Sequence, residues 1–189
     1  MDAERREIIG GLQTGQYDAV MKNASALNMM NMKYVMVPTQ GGRIQNLRNP
    51  HRYGIAWNVS EVKSVSTNVQ EIEALDNANL KDIAVIHSEF SEYLQGFSPQ
   101  KDPAMTITLA GYEPNHITYN YNAPSGKEQL VVFSEIYYAK GWNAYVDGNL
   151  VDHVRANYVL RAARIPGGQH KIEFKFEPES YQVGENIGL

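Results

Sequence analysis

Residues 130–178 combine strand-like runs with turn signals at near-regular spacing, and no other feature constrains the fold as strongly. A run at residues 142–146 is followed by Asp147-Gly148 and then by a second run at residues 149–154. A type I′ turn needs positive φ at both central residues, and Asp-Gly adopts that conformation at little cost. The sequence therefore predicts a β-hairpin here, within an antiparallel all-β module.

Other runs in the second half of the chain fit the same module. Residues 104–110 and 116–122 flank a short turn and predict an antiparallel pair. The run at residues 129–138 is apolar on both faces, as expected of a central strand that contacts the core on one side and another element on the other. Two further runs flank a Pro-Gly-Gly turn and predict a second hairpin, at residues 158–165 and 170–176.

The first half of the chain mixes helix and strand signals. Apolar residues at helix spacing predict helices at residues 2–13, 16–32 and 68–80. In the third of these helices, Asn68 is the predicted N-cap and Glu71 its partner in a variant capping box. The remaining signals predict strands at residues 33–37, 55–67 and 82–87, and a loop at residues 39–54. The strand at residues 55–67, the helix at residues 68–80 and the strand at residues 82–87 follow one another closely, which predicts a small α/β subdomain.

Residues 98–103 carry two prolines and two opposed charges, which makes them the predicted linker. The predicted fold class is therefore α+β. A small N-terminal α/β subdomain at residues 1–97 precedes a C-terminal antiparallel β-sandwich, jelly-roll-like, at residues 104–178.

Charge and composition exclude several classes of function. The net charge is -4, and the basic residues are scattered among the acidic ones, so nucleic-acid binding is disfavoured. The chain has no cysteine, which excludes disulfides and thiolate chemistry. No window approaches the roughly 18 consecutive apolar residues that a membrane-spanning helix needs.

The spacing of polar residues does not predict a catalytic centre. The five histidines are not placed at metal-ligand spacing on one helix face, and no nucleophile elbow is present. A glycosidase would need two carboxylates roughly 5–10 Å apart across a cleft, and the acids of the β module that lie near aromatic residues are Glu135, Asp147 and Asp152. Asp147 is already explained by its turn, and Asp152 follows the return strand of that hairpin, so we predict no catalysis by these acids. With no ligand spacing among the histidines, we also predict no metal and no cofactor.

Four aromatic residues are the candidates for carbohydrate binding. Tyr137, Trp142, Tyr145 and Tyr158 cluster in sequence around one turn, and β-sandwich sugar-binding modules stack such rings against pyranose faces. The alternative is ordinary packing, which we favour, because Trp142 and Tyr145 fall on opposite faces of their strand.

Three arginines are the candidates for anion binding. Arg43, Arg48 and Arg52 lie within ten residues of one another, a grouping that suits a phosphate of a lipid-linked sugar or of an envelope polymer. The alternative, which we favour, is a solvated loop.

One pattern runs from VFSEIYYAKGWNAYVDG at residues 132–148 through RANYVLR at residues 155–161 to the Gly167-Gly168 turn and the strand after it. This pattern resembles the C-terminal extracytoplasmic region of YfhO-type bacterial membrane proteins. Upstream, LNMMNMKYVMV at residues 27–37 is similar to the family's strand before a variable loop. Two departures are Ala139-Lys140, where the family has a proline ahead of Gly-Trp, and Asn58, where it has an aromatic residue.

The resemblance implies a role within a much larger protein. YfhO-type proteins have many transmembrane helices, resemble glycosyltransferases that use lipid-linked sugars, and are tied to glycosylation of the cell envelope. It also implies that the tail at residues 179–189 leads into a membrane segment. The functional hypothesis is a non-catalytic extracytoplasmic accessory domain whose partners are the rest of the parent protein and envelope glycan. The alternatives are a free-standing carbohydrate-binding module and a glycosidase-like enzyme.

Overall fold

The computed structural model describes residue 10, residues 15–38 and residues 43–178. The helix predicted at residues 2–13 lies almost wholly outside these residues, and the tail predicted at residues 179–189 lies outside them entirely. Within the described ranges, no helix is long and apolar enough to cross a membrane.

Short helices lie in the N-terminal half, and strands make up most of the rest. The helices are α1 (Tyr17–Asn23), α2 (Ser25–Met29) and α3 (Asn68–Asn77), with 3-10 turns at Ser88–Phe90 and Glu92–Leu94. The strands are β1 (Tyr34–Pro38), β2 (Ile44–Arg48), β3 (Ala56–Val59), β4 (Glu61–Val65), β5 (Ile83–His87), β6 (Thr106–Glu113), β7 (His116–Ala123), β8 (Gln129–Ile136), β9 (Trp142–Val146), β10 (Asn149–Val151), β11 (Val154–Ala156), β12 (Leu160–Ile165) and β13 (Gly168–Phe176).

Two antiparallel sheets form a β-sandwich. One has the order β10-β9-β13-β7-β6 and the other the order β11-β12-β8-β3. Their facing sides share one core, in which the ring of Phe133 lies 5.3 Å from that of Tyr119 and 4.9 Å from that of Phe174. The predicted α+β fold with an antiparallel sandwich is confirmed.

A third layer covers the other side of the four-stranded sheet. It consists of α3 and the parallel pair β4-β5. Leu130 and Val132 of β8 point into the core beneath this layer, while Val131 and Phe133 point into the sandwich core. All four side chains are fully buried, which confirms the prediction that this strand is apolar on both faces.

One predicted hairpin is confirmed and the other is wrong. β9 and β10 pair across Asp147 and Gly148, whose φ values of 51° and 82° fit the predicted type I′ turn. In contrast, β12 pairs with β8 and β11, whereas β13 pairs with β7 and β9. The turn between β12 and β13 therefore crosses from one sheet to the other, because both strands bury apolar side chains in the sandwich core from opposite sides.

The N-terminal half contains a strand that the pattern did not predict. β2 lies within the predicted loop at residues 39–54 and pairs with β1 in antiparallel register. Apolar and polar residues do not alternate regularly in β2, and most of its residues are exposed. Its pairing with β1, rather than burial, therefore defines it as a strand.

The run predicted at residues 55–67 divides at Ser60. β3 pairs with β8 in the four-stranded sheet, and β4 pairs with β5 in the covering layer. The division into residues 1–97 and 104–178 stays a prediction, but β3 comes from the first of these stretches and completes a sheet of the second.

The capping interaction of α3 also differs from the prediction. Thr67, not Asn68, is the N-cap, and its hydroxyl accepts a hydrogen bond from the backbone N–H of Gln70 at 3.2 Å. Glu71 is fully buried and turns to the sandwich, where it accepts a hydrogen bond from the backbone N–H of Tyr158 at 2.9 Å. Local spacing identified the helix start to within one residue but assigned Glu71 the wrong partner.

Candidate functional site

A row of polar side chains crosses the outer face of the five-stranded sheet. The register places Thr106, Asn122 and Gln169 side by side on β6, β7 and β13. It places Thr108, Asn120 and Lys171 side by side in the next outward-facing row. These six residues line a depression of about 410 Å³, and we call them the polar face.

The polar face offers hydroxyl and amide groups and one ammonium group. Asn122 is half-buried, and the other five residues are exposed. Each Thr hydroxyl and each Asn or Gln amide can donate and accept hydrogen bonds, whereas Lys171 can only donate. Such a surface suits a neutral ligand that carries many hydroxyl groups.

A histidine–aspartate pair forms one rim of the depression. His170 Nδ1 lies 2.6 Å from Asp147 Oδ2, and His170 Nε2 lies 3.1 Å from the carbonyl oxygen of Gly167. The hydrogen bond from His170 holds the pKa of Asp147 below its ordinary value, and the same contact raises the pKa of His170. Both ring nitrogens face acceptors, so a protonated His170 can donate a hydrogen bond from each of them. The imidazolium and the Asp147 carboxylate together carry no net charge.

A charged network borders the polar face along the strands. Glu173 is only 7% exposed although it lies on the outer face. Its Oε1 atom lies 2.8 Å from His116 Nε2 and 3.1 Å from Lys171 Nζ. Burial alone would raise the pKa of Glu173, but the hydrogen bonds from Lys171 and His116 lower it. The carboxylate is therefore held ionised by its basic neighbours.

Of the predicted aromatic residues, Tyr145 lies on this outer face. It is half-buried beside Glu173, and its hydroxyl donates a hydrogen bond to Glu177 Oε2 at 2.7 Å. The hydrogen bond to Glu177 also raises the pKa of Tyr145. Lys175 Nζ lies 4.7 Å from the ring centroid, so one surface of the ring already has a cation against it.

Trp142 belongs to the inner side of the same strand. The guanidinium carbon of Arg161 lies 4.3 Å from its ring centroid, and the ring of Phe176 packs 5.4 Å away. Trp142 and Tyr145 therefore do not form a common platform, in accordance with their predicted positions on opposite faces.

Tyr137 and Tyr158 lie elsewhere again. Tyr137 packs edge-to-face against Phe90 at 5.9 Å and against His153 at 5.4 Å. Tyr158 stands in the turn between β11 and β12, with the guanidinium carbon of Arg155 5.6 Å from its ring centroid. The structure thus distributes the four aromatic residues over separate places.

The three arginines are not gathered at one point. Arg43 immediately precedes β2 and Arg48 ends it, so the two lie at opposite ends of the strand and on opposite faces. Arg52 follows in the next loop and is half-buried. Anion binding by Arg43, Arg48 and Arg52 as a group stays a prediction. Among the described residues, no cluster of three or more His, Asp or Glu is placed to hold a metal ion.

The sites predicted from the sequence do not include the polar face, although the sequence contains a signal for it. Residues 119–122 read Tyr-Asn-Tyr-Asn and residues 106–108 read Thr-Ile-Thr. This alternation marks Thr and Asn as the outward side of two adjacent strands. Their convergence with Gln169 and Lys171 depended on strand order, which alternation does not reveal.

The fold and this surface define the class: an α+β β-sandwich domain with one open polar sheet face. A family model described as bacterial membrane protein YfhO matches residues 75–188, more than half of the chain. The chain belongs to this family, which confirms the resemblance drawn from its motifs. No curated protein matches the sequence.

Proposed function

We propose that this chain is a non-catalytic, extracytoplasmic accessory domain of a YfhO-family membrane protein, and that its polar face positions envelope glycan. The polar face is the observation that carries the proposal. Threonine, asparagine and glutamine side chains provide paired donors and acceptors at the spacing of adjacent strands, about 4.8 Å. Sugar hydroxyls likewise both donate and accept hydrogen bonds.

The charges around the polar face favour a neutral ligand. Asp147 is paired with His170, and Glu173 is paired with His116 and Lys171. In each pair the opposite charges offset each other. The rim therefore has no uniform positive field that would attract an anion. A glycan without charged substituents fits this environment better than a phosphate polymer.

The ionisation of the nearby acids supports a binding role without catalysis. A glycosidase needs one carboxyl group with a raised pKa to act as general acid and a second across the scissile bond. The pKa of Asp147 is lowered by its hydrogen bond to His170. Burial raises the pKa of Glu135, but Glu135 belongs to β8 in the other sheet of the sandwich. The pKa of Asp147, the acid at the depression, is thus lowered, whereas a general acid needs a raised pKa.

The domain's place in a larger protein follows from the family. The resemblance implies a parent protein with many transmembrane helices that is related to glycosyltransferases using lipid-linked sugars. A domain that holds acceptor glycan near such a membrane part would raise its local concentration at the reacting centre.

The test is a titration of the chain with maltotetraose and, separately, with chitotetraose, in which changes in amide NMR chemical shifts report binding. We expect shifts concentrated at Asn120, Asn122 and Gln169. Asn120→Ala should lower the affinity for the binding oligosaccharide about 5–10-fold, since one hydrogen bond contributes roughly 1 kcal/mol. The matched control is Asn46→Ala, which removes an exposed strand asparagine from a different sheet and should leave the affinity unchanged.

Two results would overturn the proposal. Shifts that avoid the polar face, or no shifts with either oligosaccharide, would remove the glycan site. Release of shorter oligosaccharides during the titration would contradict the absence of catalysis.

A further inference from the structure

The β1-β2 hairpin exposes a mainly apolar face that the rest of the described chain does not cover. In this hairpin Tyr34, Met36 and Pro38 point to one side, together with their register partners Arg48, Asn46 and Ile44. Met36 is 72% exposed, Ile44 is 70% exposed and Tyr34 is 53% exposed. On the other side, Val37 is only 2% exposed, so the opposite side of the hairpin includes a buried residue. We call Tyr34, Met36, Pro38 and Ile44 the apolar hairpin face.

Exposure of this kind points to a binding surface. Single exposed apolar residues are common on proteins, but a contiguous group of large ones marks an interaction site. Among the described residues, β1 and β2 pair with each other and with no strand of the sandwich, so they stand apart from the polar face in the topology.

The charge of the same segment indicates the kind of partner. Residues 33–52 contain four of the chain's 17 basic residues and none of its 21 acidic ones. Lys33, Arg43 and Arg48 are exposed, and Arg52 is half-buried. The segment is therefore basic within a chain whose net charge is -4, and it complements an anionic surface.

Apolar side chains bordered by cations and a tyrosine match the interface of an anionic bilayer. Apolar residues enter the boundary between headgroups and acyl chains, while Lys and Arg extend to the lipid phosphates. Tyrosine is enriched at the level of the headgroups. The chain belongs to a family of bacterial membrane proteins, so a bilayer is a surface that this domain meets at high local concentration.

We propose that the apolar hairpin face docks onto the headgroup region of an anionic lipid bilayer. The docking contact holds the domain against the membrane surface through Met36 and Ile44, and Lys33 and Arg48 select anionic lipids. This inference does not depend on glycan binding by the polar face, since the two surfaces share no residue.

Vesicle flotation of the full chain tests the proposal. We expect binding to vesicles of equal parts phosphatidylglycerol and phosphatidylcholine, weaker binding to phosphatidylcholine alone, and loss of binding as salt screens the cations. Arg48→Gln should weaken the partitioning roughly 5-fold, as expected for one basic residue near an anionic surface. The charge control is Lys63→Gln, an exposed lysine on β4.

The apolar contribution needs its own variants. Met36→Thr combined with Ile44→Thr keeps residues that favour strands and should lower the partitioning by about 10-fold or more. The matched control is Leu150→Thr, which removes a strand residue of 66% exposure on β10 and should bind as the unmodified chain does. Thermal unfolding of each variant checks that the fold is kept.

A fluorescent reporter tests insertion directly. Tyr34→Trp should show a blue shift with anionic vesicles and quenching by phosphatidylglycerol brominated on its acyl chains. Absence of binding to anionic vesicles, or equal loss of binding in Leu150→Thr, would overturn the proposal. So would a dimer in solution that Met36→Thr dissociates, because the face would then be covered by a second copy of the chain.

Discussion

At the residue scale, the end of the sandwich holds a histidine that is kept neutral by its surroundings. His153 lies between β10 and β11, with the ring of Tyr137 at 5.4 Å and that of Phe174 at 5.7 Å. Burial, together with the positive charge of Arg161, lowers the pKa of His153 to about 4. Arg161 is itself only 2% exposed and donates from Nε to the carbonyl oxygen of Ile136 at 2.8 Å.

This histidine makes stability depend on pH in the acidic range. In the unfolded chain the imidazole titrates near its ordinary value of 6.5, whereas in the folded chain it titrates near 4. Between these values the unfolded state binds more protons, so the free energy of unfolding falls as the pH drops from 6.5 towards 4. The loss from this group should be on the order of 2–3 kcal/mol.

Urea unfolding at several pH values measures the effect. His153→Phe keeps an aromatic ring in the same contacts and should flatten the decline of the unfolding free energy in this range. A decline of unchanged size in His153→Phe would show that other groups cause it. An imidazole signal of His153 that titrates above its ordinary value would contradict the lowered pKa.

At the element scale, the turn between β11 and β12 connects the sandwich to the covering layer. Asn157 and Tyr158 both have positive φ, at 49° and 70°. The backbone N–H of Asn157 donates to the carbonyl oxygen of Val85 at 2.7 Å, and Asn157 Oδ1 accepts from the backbone N–H of Val85 at 2.9 Å. Asn157 therefore binds β5 as a neighbouring strand residue would.

A buried ion pair reinforces this connection. Arg155 Nη1 lies 3.0 Å from Glu71 Oε2, and Arg155 Nη2 lies 3.1 Å from Glu89 Oε1. Because Glu71 also accepts from the backbone of Tyr158, α3 holds both the side chain before the turn and a backbone group within it. The covering layer and the sandwich are thus joined by polar contacts as well as by the shared core.

Substitutions at Asn157 separate the two properties of this turn. Asn157→Gly keeps the positive φ but leaves the buried N–H of Val85 without its acceptor, at an expected loss of about 1–3 kcal/mol. Asn157→Ala should lose a further 1–2 kcal/mol, roughly, because a Cβ disfavours the left-handed conformation. The free energy of unfolding in urea gives both values.

Asn149→Ala is the control for Asn157, since its side chain makes one long hydrogen bond of 3.4 Å in the β9–β10 turn. It should change the unfolding free energy by less than about 0.5 kcal/mol. Equal losses for Asn157→Gly and Asn157→Ala would mean that the backbone conformation contributes nothing.

At the scale of the whole molecule, segments from both halves of the chain build the sandwich. β3 forms the edge of the four-stranded sheet, next to β8. Asn58 of β3 is buried and donates from Nδ2 to the carbonyl oxygen of Asp102 at 2.8 Å and to Gln129 Oε1 at 3.0 Å. The amide of Asn58 thus joins the predicted linker to the sheet.

This arrangement predicts how truncated chains behave. A chain of residues 104–178 lacks β3 and the covering layer, so Leu130, Val132 and Leu160 would be exposed to water. We expect it to show no cooperative unfolding, whereas residues 55–178 retain these elements and should fold with reduced stability. Amide NMR dispersion and urea unfolding compare the two, and a cooperatively folded 104–178 would show that the sandwich is independent.

Local sequence determined the elements whose signal is contained within a few residues. Asp147-Gly148 predicted the type I′ hairpin because positive φ is a property of those residues themselves. The run at residues 129–138 predicted a strand buried on both faces because its apolar residues show no alternation. These features, with the motifs of the family, were sufficient for the fold class.

Tertiary structure decided which elements became neighbours. A Pro-Gly-Gly turn fits a hairpin and a crossover equally well. The placement of β12 and β13 in different sheets depended on their packing into one sandwich core from opposite sides. The polar face arose in the same way: Thr108, Asn120 and Lys171 are distant in sequence and adjacent only through the order β13-β7-β6. Alternation fixes the face on which a side chain lies, but contacts between distant strands determine what stands beside it.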